Sequence, residues 1–265
     1  MRSTVLLCTA ALAVSGCAGN TATGTASSPP PAQTEAIPDP AARRSSLNGL
    51  PESTTFTKLN GLPTDSKQYK SLTGTVVRPL RAKALHTRPE GPTVAVLPTT
   101  QLGGPTWVPV LETVPGWQRV LLPSKPNHST AWLSDEGLET AHTPYAVRVR
   151  TGKRRLTLYK SGEPVGTWPV AVGADGTPTP PGWTFVLASM SQKAPSRTGP
   201  VVLPVGAHSA TLDTFGGGPG TVAFHGWPDQ KVFGKAASHG CVRVPEAALK
   251  ALTLVPLGSP VLITS

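Results

Sequence analysis

Prolines and glycines, 30 and 27 of them in 265 residues, interrupt this chain so often that long helices have little room. Proline removes a main-chain donor and fixes φ, while glycine opens turn conformations, so both favour turns and short strands. The sequence therefore reads as a mostly β protein. Five β-type runs, 74–77, 93–97, 107–111, 117–122 and 131–133, fall within about 70 residues and predict a small barrel over 71–141. From residue 142 the pattern resumes. Residues 145–150 alternate cleanly, 156–159 follow, and Ser161-Gly162-Glu163 turns into a strand over 165–172. Pro245, suited to a first helical position, opens one short helix through Leu252, and 261–264 make the final strand.

The N-terminal region has a different character. Arg2 precedes an apolar run, 5–14, that ends in small residues, as in a secretory signal peptide, so Cys8 would be removed with it. Residues 12–17 close on Cys17 and resemble the lipobox of bacterial lipoproteins, which implies a signal peptide over 1–16 and a lipid on Cys17. The alternative is an ordinary secreted protein with Cys17 free. The run 5–14 is far shorter than the roughly 20 apolar residues that span a bilayer, so the expected membrane attachment is the lipid. The expected location is the outer face of the cytoplasmic membrane, or the cell wall. Residues 20–42 are Thr, Ala, Ser and Pro without an aromatic, too polar to offset their ordering entropy, and the stretch 17–70 reads as a disordered linker.

Charge separates the two folded halves. Residues 71–141 carry 6 Lys and Arg against 5 Asp and Glu, whereas 142–265 carry 12 against 5. A basic exported domain favours an anionic or carboxylate-rich partner. No Lys/Arg run or basic stripe interleaved with aromatics points to nucleic acid.

With Cys8 removed and Cys17 at the mature terminus, Cys241 is left as a lone thiol inside Ser238-His239-Gly240-Cys241-Val242-Arg243. A thiol attacks as thiolate, and at an ordinary pKa of about 8.5 it needs a neighbouring base. Two imidazoles stand near in sequence, His225 and His239, and an imidazole titrating near ~6.5 suits that exchange. Gly226 and Gly240 let the backbone approach a bound acyl group, and N–H groups around Gly240 and Cys241 are candidates for an oxyanion site. Arg243, two residues past the thiol, shares its face on an extended segment and can clamp a carboxylate. A zinc site of His225, His239 and Cys241 fits no common ligand spacing, and neither metal nor cofactor is expected. Gly216 to Gly220 form a mobile loop or plain turn; lacking a following Lys-Ser/Thr, they do not make a phosphate loop.

From Tyr145 onward the chain resembles the catalytic domain of bacterial L,D-transpeptidases. The resemblance rests on His225 followed by Ser238-His239-Gly240-Cys241, on the upstream segment 177–185, similar to the family's Thr-Pro-x-Gly-x-Phe, and on the closing turn and strand 256–261. It implies a β-sandwich of mixed sheets over 142–265, with the cysteine in a tunnel beneath a lid. It also implies that Cys241 attacks a peptidoglycan tetrapeptide stem after its third residue, expels the terminal D-alanine and holds a thioester. A neighbouring stem's amine then forms a 3→3 cross-link. In the family's roles His225 is the base and His239 shapes the site; Ser238, Gly226 and Arg243 are the residues expected toward the substrate. Two departures stand out: Arg243 occupies a position that is Asn in many members, and Gly226 has no hydroxyl to orient the base, leaving that to a backbone carbonyl. Residues 71–141 resemble the bacterial SH3-like domains that often precede wall enzymes, and Trp107, Trp117 and Trp132 either line a groove there or pack. Hydrolysis of the thioester by water (an L,D-carboxypeptidase), transfer to a protein amine, and a non-catalytic wall-binding lipoprotein are the alternatives.

Overall fold

Short apolar runs between prolines and glycines form short strands, and the chain pairs them into five sheets among the described residues. The computed structural model describes residues 47–65, 73–215 and 217–265. The signal-peptide and lipidation expectations for 1–16 and Cys17 lie outside these residues.

The N-terminal half contains β1 (Thr75–Pro79), β2 (Lys83–His86), β3 (Thr93–Leu97), β4 (Thr100–Gln101), β5 (Gly104–Pro105), β6 (Val108–Val114), β7 (Trp117–Leu121), β8 (Thr130–Ser134) and β9 (Leu138–His142). Seven of these form one antiparallel sheet in the order β3-β2-β8-β7-β6-β1-β9, and β4 and β5 make a small ribbon. The sequence predicts five strands here. It misses the two-residue β4 and β5, and also β2, which has no β-branched residue, and β9, whose residues are mostly exposed. Trp117 sets its ring edge on His86, the register partner of Trp132, whereas Trp107 lies beneath Arg78.

Residues 47–65 depart from the expected disordered linker. They run as a strap bonded to β3 and to the segment between β7 and β8: Ser53 N–H to Val96 O at 2.7 Å, Leu59 N–H to Lys125 O at 2.8 Å and Asp65 N–H to His128 O at 2.8 Å. Leu59 is buried in the N-terminal core, and that anchor offsets ordering entropy in a way the polar composition does not reveal.

The C-terminal half comprises β10 (Tyr145–Arg150), β11 (Arg155–Lys160), β12 (Glu163–Pro169), β13 (Val172–Gly173), β14 (Gly182–Phe185), β15 (Met190–Ser191), β16 (Val201–His208), β17 (Thr221–His225), β18 (Ala236–Ser238), β19 (Val242–Arg243), α1 (Glu246–Leu252) and β20 (Pro260–Thr264). They pair as β12-β11-β10-β20-β14, β15-β16-β17-β19 and β13-β18, with parallel contacts at β10–β20, β17–β19 and β13–β18. The mixed sheets enclose a core of Val147, Leu156, Phe224, Val242 and Ile263, against which α1 sets Ala248, Leu249 and Leu252. Pro245 caps α1 from outside as its N-cap residue, one position earlier than the sequence predicts.

β14 is buried throughout. Its Trp183 and Phe185, with Leu187 just beyond its end, belong to the N-terminal core, while Val186, the residue after the strand, belongs to the C-terminal one. Alternate residues of this stretch thereby serve two cores. β16 escapes sequence reading because it contains Pro204 and Gly206, which look like breakers. Gly206 is needed for close approach: a Cβ there would sit 2.6 Å from the Phe185 ring.

Candidate active site

The site is built on the parallel pair β17–β19. Phe224 lies opposite Val242 and His225 opposite Arg243, so Cys241, one residue before Val242, is level with Ala223. Side chains alternate along a strand. Phe224 and Val242 therefore enter the core, where both are buried, and Ala223, His225, Cys241 and Arg243 share the opposite face. The strand's core residues thus fix which face carries the thiol and the imidazole.

His225 is buried, and its Nδ1 lies 2.7 Å from the Gly226 carbonyl. A carbonyl only accepts, so Nδ1 carries the proton and Nε2 of the neutral ring is the free base. The Gly226 N–H in turn donates to Thr198 O at 2.7 Å, tying this corner to the loop 192–200. Burial holds the His225 pKa below its ordinary value; the Gly226 carbonyl opposes that shift and the Arg243 charge adds to it.

Cys241 is a free, partly exposed thiol. Burial pushes its pKa up, against a hydrogen bond from the main chain of Ala223 and the charge of Arg243. Both shifts favour neutral forms, so the resting pair is thiol and imidazole rather than thiolate and imidazolium.

The turn before Cys241 is held from within and from outside. Ser238 Oγ accepts from Gly240 N–H at 3.1 Å and donates to Cys241 O at 2.5 Å. Gly240 has φ +112°, a conformation natural to glycine, with no neighbour closer than 3.7 Å to a Cβ built there. From outside, Thr177 Oγ1 donates to Ser238 O at 3.0 Å and Thr179 Oγ1 to Gly240 O at 2.9 Å, and Thr179 Oγ1 also accepts from Gly173 N–H. The segment 177–185 is thus the brace of the cysteine turn.

His239 stands apart. It is exposed, and its ring lies 5.2 Å from that of Phe215, itself exposed beside the glycine-rich turn that Phe215 and Gly218 close by two main-chain hydrogen bonds. Arg243 Nη1 donates to Ala237 O at 3.0 Å, and its guanidinium lies 3.6 Å from the Trp227 ring centre. Trp227 also meets the His225 ring edge, at 6.1 Å. The structure brings His225, Cys241, Arg243, Gly226, Ser238 and Gly240 together and directs His239 outward. Thr177, Thr179, Arg197, Thr198 and Trp227 join the site without having been singled out for it from sequence. The linear signal for Thr177 and Thr179 is the segment 177–185, which the sequence marks as a family motif without assigning it this role. Among the described residues no group of three His, Cys, Asp or Glu side chains could hold a metal ion.

Comparison with known proteins gives the class of domain to which this fold belongs. The model of the L,D-transpeptidase catalytic domain, YkuD, matches residues 144–263. The YkuD protein of Bacillus licheniformis, named as an L,D-transpeptidase, is 34% identical over 122 residues, 46% of this chain and 66% of that one. Its namesake in Bacillus subtilis is 31% identical over 129 residues, 48% of this chain and 71% of that one. An L,D-transpeptidase structure from Mycobacterium smegmatis aligns over 60% of this chain and 82% of its own, at 16% identity and a TM-score of 0.40. The chain belongs to the L,D-transpeptidase (YkuD) family.

Proposed function

We propose that this protein is a peptidoglycan L,D-transpeptidase that forms 3→3 cross-links through a thioester on Cys241. The observation that carries the reading is the β17–β19 register, which sets His225 and Cys241 on one face while the Gly226 carbonyl fixes the histidine tautomer. In the first half-reaction His225 Nε2 takes the thiol proton as Sγ attacks the carbonyl carbon of the stem's third residue. Gly240 N–H is engaged by Ser238, so the oxyanion donor we assign is the N–H of Cys241. Collapse forms the thioester and breaks the C–N bond, and D-alanine leaves with the proton from the imidazolium. In the second, a neighbouring stem's amine attacks the thioester, the C–S bond breaks, and the amine proton returns through His225 to the thiolate. His239, outside this face, shapes the rim.

We further read the protein as exported and lipid-held through Cys17, with residues 71–141 as an SH3-like module. The support is the run 5–14 and the motif ending at Cys17, together with the short antiparallel strands around one core in the N-terminal half. One experiment serves both readings: intact-mass spectrometry of the full chain extracted from membranes, after incubation with a carbapenem, whose strained amide acylates an activated thiol. We expect one adduct, absent in Cys241→Ala, and a lipid mass on Cys17. An unmodified wild type that is folded would refute the nucleophile; an unlipidated full-length mass would remove the anchor.

A further inference from the structure

Two guanidinium groups converge on one indole beside the nucleophile. Arg243 lies 3.6 Å and Arg197 5.3 Å from the Trp227 ring centre. Arg197 is held there by its neighbours: Thr198 O accepts from Gly226 N–H at 2.7 Å, and Ser196 Oγ and Thr198 Oγ1 are hydrogen-bonded at 2.9 Å. The loop carrying Arg197 is thus fastened to the residue after His225. Neither arginine joins an ion pair among the described residues, and Arg243 Nε is buried without a partner. Burial lowers the proton affinity of Arg243 and Arg197 lowers it again, while Cys241 opposes both, so the two cations feel one another. Cations gathered this closely with no anion between them make an anion site.

The register also sets the distance from this site to the chemistry. Arg243 is two residues past Cys241 on the same face, a separation of about 7 Å along an extended strand. We infer that Arg197 and Arg243, stacked on Trp227, form a two-guanidinium receptor for a carboxylate of the donor stem, and that Arg197 makes the site prefer a free carboxylate over its amide. This rests on the thioester reading above and adds a chemical class of substrate to it. A carboxylate accepts from both forks, whereas a carboxamide offers one acceptor and turns its NH2 toward N–H donors that then go unmet. Two stem carboxylates lie within reach of the attacked carbonyl: that of the departing D-alanine, and that of an acidic side chain on the third residue.

The test compares iodoacetate with iodoacetamide, an anionic and a neutral reagent that alkylate the same Sγ with loss of iodide. Both are applied to the full chain at low salt, as wild type, Arg197→Gln and Arg197→Lys. We expect the iodoacetate-to-iodoacetamide rate ratio to fall about five- to tenfold in Arg197→Gln, with partial recovery in Arg197→Lys, for loss of a charge-assisted partner from an exposed arginine. Calorimetry of tetrapeptide stems on Cys241→Ala, with and without Arg197→Gln, identifies the source. The peptides are unmodified, amidated at the C-terminus or amidated at the third side chain, and the amide that removes the Arg197 effect marks the carboxylate bound. An unchanged ratio together with Arg197-independent stem binding would overturn the inference. A Cys241 inert to both reagents would count against the nucleophile instead, and the calorimetry would still decide on Arg197.

Discussion

Gly240 shows how much of the chemistry depends on single backbone angles. Its positive φ turns the chain so that Ser238 can hold both Gly240 N–H and Cys241 O, and nothing nearby would collide with a methyl group. Gly240→Ala should therefore cost about 1–3 kcal/mol in strain, leave the fold intact and slow carbapenem acylation at least tenfold. Stopped-flow acylation on the folded variant checks this, and a wild-type rate would show that the turn tolerates another conformation. The chemistry-bearing residues next to that turn are legible in the sequence because they are neighbours along the chain: Cys241, Arg243 and the Ser238-His239-Gly240 run announce themselves. The bracing roles of Thr177 and Thr179 do not, since each reaches a partner 61 residues away. Arg197 is hidden for the same reason, being one basic residue among twelve until the fold lays it on Trp227.

The hairpin β16–β17 carries His225 at one end and is clamped at the other. There the Asn127 side chain bonds the His208 backbone twice, donating from Nδ2 to its carbonyl and accepting at Oδ1 from its N–H, both at 2.8 Å. Thr55 adds its carbonyl, 2.8 Å from His208 Nε2, and its hydroxyl bonds that of Thr221. Lys125 Nζ pairs with Asp213 at 3.3 Å, though this exposed contact contributes little. Asn127→Ala should lower stability by about 1–3 kcal/mol, since two part-buried main-chain groups lose their partner. Its hydrogen exchange should quicken first in β16 and β17, and uniform quickening across both halves would argue against a hairpin-specific clamp. The strand β10 is readable from its alternation and the mostly β class from punctuation, whereas the mixed sheets are expected only through the family resemblance. The strap, β2 and β16 are not, because their order comes from partners distant in the chain rather than from their own pattern.

Three histidines govern how the assembled molecule answers acid. Burial lowers the pKa of His128, His208 and His225 below the ordinary 6.5, outweighing the carbonyl of Pro181, Thr55 or Gly226 that each one meets. His208 is the starkest, with Nε2 on Thr55 O and Nδ1 buried without a partner. The unfolded chain binds these protons first, so stability is full above about pH 6.5 and falls as pH drops from there toward the folded-state values. Calorimetry should give a melting temperature lower at pH 5 than at pH 7.5, with a smaller loss in His208→Gln; a flat profile would mean these rings are hydrated. Two of the three rings, His128 and His208, bridge the halves, so acid loosens the join as well as the cores. That join gives β14 another meaning. Because Trp183, Phe185 and Leu187 complete the core of the preceding half, the L,D-transpeptidase catalytic domain of this chain is not a transferable part. Cut free at residue 142 it would present a sticky apolar wall, and a chimera carrying a foreign N-terminal half would need that wall redrawn, so the two halves are bound to change in step over evolution.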